Sequence, residues 1–209
     1  MFILSQDLVF PPVDCADEDG LLCIGGDLSP ERLMLAYRSG IFPWYNEDEP
    51  ILWYSPDPRF VLFPEDLKVS KSMAQLLRKN EFHFTVNKDF EATIRHCRTQ
   101  KRKEQSGTWI HDEMEAAYIR LHQAGHAFSA ECWQGEKLVG GLYGVLLNYI
   151  FCGESMFSLE KNASKFAFIH FVRQLQLRGI RLIDCQVYTR HLESLGAGMM
   201  AREEFITYL

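Results

Sequence analysis

The sequence predicts an α+β fold, with a small mixed N-terminal domain over residues 1–58 and a larger domain over 59–209 built on a mixed sheet flanked by helices. Three observations predict it. From residue 59 onward the strand and helix patterns run β-α-β-α-α-β-β-β-α-β-α, the order of a mixed sheet with helices packed on it. Ser55-Pro-Asp-Pro58 interrupts regular structure, because each proline fixes its own φ and restricts the residue before it. Before that break two aromatic clusters, Phe42-Pro-Trp44-Tyr45 and Leu52-Trp-Tyr54, surround an acidic loop. Such clusters make either a stacking platform or the core that a small domain needs.

Residues 1–27 read as irregular, with paired glycines at 25 and 26 marking a tight turn. Ser29 followed by Pro30 is a helix start: the serine hydroxyl caps a free N–H, and proline at the first helical position needs none. That helix is expected to end at Gly40. Beyond the prolines, Arg59 to Phe63 reads as a strand, Ser70 to Lys79 as an amphipathic helix, 82–86 as a strand and Asp89 to Cys97 as a short helix. A helix over 112–124 stops at Gly125. Strands over 126–133, 137–147 and 149–157, joined by tight turns, predict an antiparallel meander. A helix over 162–178, a strand over 181–187, a short turn or helix at 191–196 and a last helix over 202–209 complete the chain. The strand 149–157, helix and strand 181–187 form a crossover, so those strands should be parallel neighbours.

Composition sets bounds on function. Hydrophobic content of 47% and aromatic content of 13% support a packed core rather than disorder. No run of 18 apolar residues occurs and the N-terminus lacks a basic segment, so neither a membrane span nor a signal peptide is expected. The six cysteines show no Cys-x-x-Cys pair and no metal spacing. They read as reduced, buried thiols of a cytoplasmic protein. The net charge is −6, yet residues 68–103 carry ten Lys or Arg against three acids. Arg95, Arg98, Lys101, Arg102 and Lys103 form its densest part. This cluster suits a few phosphates, and equally suits a solvated helix end.

Chemistry concentrates at two strand ends. Phe151-Cys-Gly-Glu-Ser-Met-Phe-Ser158 is a strand carrying Glu154, followed by a helix N-terminus at Asn162-Ala-Ser-Lys165. Asp184 and Gln186 are two apart on the neighbouring strand, so alternation places both on one face, close to Glu154. An acid and an amide in an apolar sheet need polar partners; they either knit the sheet or handle a ligand.

Eight blocks in order, Gly25-Gly-Asp-Leu-Ser-Pro30, Gly40-Ile-Phe-Pro-Trp44, Trp53-Tyr-Ser-Pro-Asp-Pro-Arg59, Gly107-Thr-Trp-Ile110, residues 151–158, Asn162-Ala-Ser-Lys165, Leu182-Ile-Asp-Cys-Gln-Val187 and Ser194-Leu-Gly-Ala197, resemble the leucyl/phenylalanyl-tRNA–protein transferases over nearly the whole chain. The resemblance implies a C-terminal domain of GNAT-type acetyltransferase fold. It implies transfer of Leu or Phe, less well Met, from aminoacyl-tRNA to proteins with an N-terminal Lys or Arg, which creates a degradation signal. It implies no cofactor and no metal, a cytoplasmic monomer, and Leu-tRNA, Phe-tRNA and the acceptor proteins as partners. Asp184 and Gln186 fall at the family's catalytic positions. On that basis Gln186 accepts a hydrogen bond from the attacking amine, Asp184 accepts from the Gln186 side-chain NH2 and orients it, and Glu154 holds the acceptor's cationic group. Trp44 and Trp109 are implied to contact the 3′-terminal adenosine, and the basic cluster to hold tRNA phosphates. A dry aminoacyl pocket is expected from Phe151, Met156, Phe168, Phe171, Leu175 and Ile183, although Phe168, Phe171 and Leu175 also have the spacing of any core helix.

Two departures stand beside the resemblance. Some relatives carry a further basic and aromatic tail beyond the position of Leu209. The Gln/Arg-x-x-Gly-x-Gly/Ala loop of acyl-CoA enzymes is replaced by Glu160-Lys-Asn-Ala-Ser164. That replacement opposes the alternative of an acyl-CoA-dependent N-acetyltransferase. The other alternative is a non-catalytic module that binds the aminoacyl-tRNA end.

Overall fold

The computed structural model describes residues 2–100 and 109–209. In its first part, β1 (Phe2–Leu4), β2 (Leu21–Gly25), β3 (Phe42–Pro43) and β4 (Leu52–Tyr54) form a four-stranded sheet in the order β1-β2-β4-β3. Helix α1 (Pro30–Arg38) lies between β2 and β3 in sequence, and Ser29 caps it by accepting from the Arg32 N–H at 3.3 Å. The expectation of irregular chain over 1–27 missed β1 and β2. Both are short; they pair with each other in parallel, and β2 pairs on its other side with distant β4, so nothing local announces them.

The second part holds β5 (Arg59–Leu62), α2 (Lys71–Arg78), β6 (His83–Val86), α3 (Phe90–Thr99), α4 (Asp112–Gln123), β7 (Ala127–Gln134), β8 (Lys137–Leu146), β9 (Ile150–Ser158), α5 (Ala163–Leu177), β10 (Leu182–Gln186), α6 (Arg190–Glu193), β11 (Gly198–Met200) and α7 (Arg202–Ile206). Its seven strands run in the order β11-β5-β10-β9-β8-β7-β6. The expected meander is present: β7 pairs antiparallel with β8, and β8 with β9. The crossover through α5 places β10 parallel to β9, with Asp184 opposite Cys152. The edge strand β11 had no counterpart in the sequence reading, because its Gly198-Met-Met200 has no alternation of its own.

Helix α5 is apolar almost all round, with Phe166, Ala167, Phe168, Ile169, Phe171 and Val172 buried, as a helix sunk into a core must be. It covers one sheet face, where Phe151, Ile183 and Val139 meet it. The other face packs on α3, α4 and the N-terminal part in a single cluster that runs from Leu22 and Trp53 through Met114 and Tyr118 to Phe205. The sheets change over at the prolines, whereas this hydrophobic core is continuous across them. Cys15 is exposed, contrary to the expectation of buried thiols; the other five cysteines are buried, and all six are free. No helix among the described residues is long and apolar enough to cross a membrane.

Gly40 sits at the seam between the two parts. Its φ is +75°, and a Cβ there would approach Ile206 Cδ1 of α7 to 2.5 Å. The left-handed backbone favours glycine, and a Cβ would in addition force the end of the Ile206 side chain to shift. Gly40→Ala is therefore expected to lower stability by at least about 1–2 kcal/mol. A shift of the urea midpoint at unchanged slope would show it, and an unshifted midpoint would show that the seam tolerates a methyl group.

Candidate active site

A cleft of about 810 Å³ opens where the two parts meet the ends of β9 and β10. Its floor is built from the predicted polar residues. Gln186 Nε2 donates to Glu154 Oε1 at 2.8 Å, so the two strand ends are joined side chain to side chain. Tyr118 of α4 donates its hydroxyl to Glu154 Oε2 at 2.9 Å, and Tyr37 of α1 hydrogen-bonds Tyr118 and reaches the same carboxylate. Burial pushes the Glu154 carboxyl up to about 7, with the negative charge of Asp184 adding to the effect. The hydrogen bonds from Tyr37, Tyr118 and Gln186 pull the other way.

Asp184 is fully buried, and the Arg59 side chain spans both its oxygens. Arg59 Nε donates to Oδ1 at 2.8 Å, and Arg59 Nη2 to Oδ2 at 2.7 Å. The Gln186 backbone N–H donates to the same Oδ1 at 2.9 Å. The expected bond from the Gln186 side-chain NH2 to Asp184 is thus replaced: the backbone amide goes to Asp184 and the side-chain amide goes to Glu154. The reason lies in the backbone. The β5–β10 register shifts between Asp184 and Gln186, and Gln186 has φ +63°, so simple alternation fails there. Arg59 itself is buried, an environment that opposes its charge. The carboxylate's charge and hydrogen bonds outweigh that effect and raise its pKa.

The apolar side of the cleft differs in part from the expected pocket. Met156, Phe168 and Ile183 line it. Phe151, Phe171 and Leu175 do not: Phe151 packs edge-on against Phe171 at 4.8 Å, and all three are buried within the core behind the sheet. Helical spacing selected a buried face, and only Phe168 of that face reaches the cleft. Trp44, which is 37% exposed, and Trp109 both line the cleft together with Phe42 and Tyr188. Trp44 tilts against Tyr54 with ring centroids 5.8 Å apart.

Of the basic cluster, Arg95 and Arg98 are described, and they face acids. Arg95 pairs with Glu91 at 2.7 Å and Glu115 at 3.1 Å, while Arg98 pairs with Asp112 and with Glu115 at 3.2 Å. These contacts support the solvated helix end over a phosphate grip at those two positions. Lys101, Arg102 and Lys103 lie outside the described residues. Arg59, Tyr37 and Tyr118 were not anticipated as part of the site. The one available signal was Arg59 itself, a lone charge at the head of the apolar run Arg59-Phe-Val-Leu-Phe63.

An amide and a carboxylate at the floor, an apolar wall and two indoles at the side suit a transferase that must hold an apolar group and a ring system together. A model described as leucyl/phenylalanyl-tRNA protein transferase matches residues 61–209, and one for the N-terminal domain of that transferase matches residues 26–57. A leucyl/phenylalanyl-tRNA–protein transferase of Flavobacterium johnsoniae is 57% identical over all of this chain and 99% of its own length. One from Christiangramia forsetii is 55% identical over the full length of both. Among solved structures, a GCN5-related N-acetyltransferase from Kribbella flavida aligns with 80% of this chain and 60% of its own at 11% identity and a TM-score of 0.46. The protein is an aminoacyltransferase. It belongs to the leucyl/phenylalanyl-tRNA–protein transferase family and moves aminoacyl groups from tRNA to proteins.

The raised Glu154 pKa has a thermodynamic consequence. The native state holds a proton that the unfolded chain releases near the ordinary value of 4.5. This carboxyl therefore contributes most to stability below pH 4.5, and the contribution falls as pH rises from 4.5 to about 7. Glu154→Gln removes that dependence. The melting temperature of Glu154→Gln relative to wild type should climb between pH 5 and 8, and a difference that stays flat across the range would refute the raised pKa.

Proposed function

We propose that the protein transfers Leu or Phe, and less well Met, from aminoacyl-tRNA to the α-amino group of proteins that begin with Lys or Arg, marking them for degradation in the cytoplasm. We read it as a monomer acting without a cofactor. The observation that carries this reading is the joined Gln186–Glu154 pair at the floor of a cleft whose sides are apolar and aromatic.

The aminoacyl side chain enters the space beside Met156, Phe168 and Ile183, whose apolar surface favours Leu and Phe. The terminal adenine stacks on Trp44 and Trp109. The acceptor arrives as an ammonium with a pKa of about 7.7–8. Glu154, with a pKa of about 7, is close enough to accept its proton near neutrality. The freed amine donates a hydrogen bond to Gln186 Oε1, and its nitrogen attacks the ester carbonyl carbon. The new C–N bond forms, the bond from that carbon to the ribose oxygen breaks, and the second amine proton leaves with that oxygen. The ester is already activated, so much of the acceleration comes from holding ester and amine together.

A transfer assay with labelled Leu-tRNA and two peptides, one beginning with Arg and one with acetylated Arg, tests the reaction. Label on the free-amine peptide alone is expected; label on neither would leave only binding. In the same assay Trp44→Ala should raise the KM for Leu-tRNA by about tenfold, since stacking one base on an indole is worth about 1–3 kcal/mol. An unchanged KM would return Trp44 to the wall of the N-terminal core. The pH profile of kcat/KM should rise with a midpoint near 7 as Glu154 ionises, and Glu154→Gln should abolish that limb while lowering the rate.

A further inference from the structure

Arg59 touches no reacting group in the mechanism above, yet it is one of the most completely enclosed side chains in the chain. Its guanidinium lies between two aromatic rings, 4.7 Å from the centroid of Phe42 and 4.8 Å from that of Phe205. Arg59 Nη1 donates to the Gly40 carbonyl at 3.2 Å, while Nε and Nη2 grip both oxygens of Asp184. Three separate segments, around Gly40 and Phe42, at Asp184 and at Phe205, thus fix one planar fork. A fork so held can present the Asp184 carboxylate in only one orientation.

The carboxylate then acts on the backbone. Oδ1 accepts the Gln186 N–H at the residue where the β5–β10 register slips and φ is +63°. A non-glycine residue in the left-handed region costs about 1 kcal/mol or more and persists only where its surroundings hold it. Val187 turns back at once, its N–H donating to the Cys185 carbonyl at 2.8 Å. Without the bulge, strand alternation would govern where Gln186 points; with it, the side-chain amide meets Glu154. The anchor therefore sets the direction of the amide at the cleft floor.

We infer that Arg59 is a positioning residue for aminoacyl transfer, acting through Asp184 and the Gln186 backbone amide to aim the Gln186 side chain. The inference rests on the proposal that Gln186 faces the reacting groups. It also alters the reading of Asp184, whose two oxygens are occupied by Arg59 and the Gln186 N–H and which orients backbone rather than the side-chain amide.

The test is a double-mutant cycle on the full-length chain, with transfer of labelled leucine to an Arg-peptide as readout. Arg59→Lys keeps the charge but cannot bridge both Asp184 oxygens and the Gly40 carbonyl. In the wild-type background it should lower kcat by about tenfold or more and move the KM for Leu-tRNA by less than about threefold. In a Gln186→Ala background the same substitution should cost less than about twofold, because nothing is left to aim. The same loss in both backgrounds would mean that Arg59 supports only the fold, and would overturn the inference while leaving the role of Gln186 intact. A Gln186→Ala enzyme as active as wild type would overturn the role of Gln186 and this inference with it. Amide exchange gives a readout that needs no activity: the Gln186 N–H should lose protection in Arg59→Lys while Leu182 and Ile183 keep theirs, and retained protection at Gln186 would again overturn the inference. Should Arg59→Lys not fold, Phe205→Leu loosens the guanidinium from outside the cleft and should follow the same pattern across the two backgrounds.

Discussion

The buried pair of Arg59 and Asp184 is the interaction on which the rest of the site depends. Taking two charges out of water is expensive, and their attraction repays it only when the remaining donors and acceptors are also satisfied. Here each polar atom has at least one partner: both Asp184 oxygens accept from Arg59, one accepts the Gln186 amide as well, and the third guanidinium nitrogen reaches Gly40. Removing one partner of such a pair typically costs about 3–5 kcal/mol, because the other charge is then left stranded. The pair also joins pieces that are far apart in sequence. Gly40 and Phe42 come from the N-terminal part, Phe205 from the last helix and Asp184 from the middle of the main sheet. The cleft exists because those pieces converge on it.

Glu154 and Asp184 lie in one small region and are held by different partners. Asp184 has a cation in contact. Glu154 has only hydroxyls and an amide, so burial dominates and its proton is held to about pH 7. Tyr118 and Tyr37 matter here in two ways. Their hydroxyls stabilise the charged form, and their own pKa values are raised by burial and by Glu154, which keeps them neutral donors. The result is a buried carboxyl held by neutral donors, with a pKa of about 7.

Much of this was legible in the sequence, and the missing parts share a physical cause. The helices were readable because caps and apolar spacing are local; Ser29, Ser70 and Asp89 each accept a backbone N–H at the predicted helix starts. The meander and the parallel crossover followed from strand length and connection length, and together they placed Glu154 beside Gln186. What escaped was set by tertiary contact. Strands β1, β2 and β11 owe their existence to partners elsewhere in the chain. Phe151, Phe171 and Leu175 had the pattern of a pocket wall and form core instead, because spacing identifies a buried face and not what it is buried against. The bulge at Gln186 is invisible to alternation, since it comes from a carboxylate held by an arginine 125 residues away.

That last case bears on how the site works. Aminolysis of an activated ester asks little of a base and much of geometry, since well-oriented reactants gain more than a weak hydrogen-bond acceptor supplies by itself. A glutamine is poorly suited to take a proton and well suited to direct one, because its oxygen and nitrogen face opposite partners. Glu154 engages the nitrogen and so fixes which end of the amide faces the cleft. The strained backbone fixes where that amide stands, and the Arg59–Asp184 pair holds the strain in place. If Gln186 faces the reacting groups as proposed, the cost of the bulge and of the buried charges is incurred on folding, so that little reorganisation remains when the substrates meet.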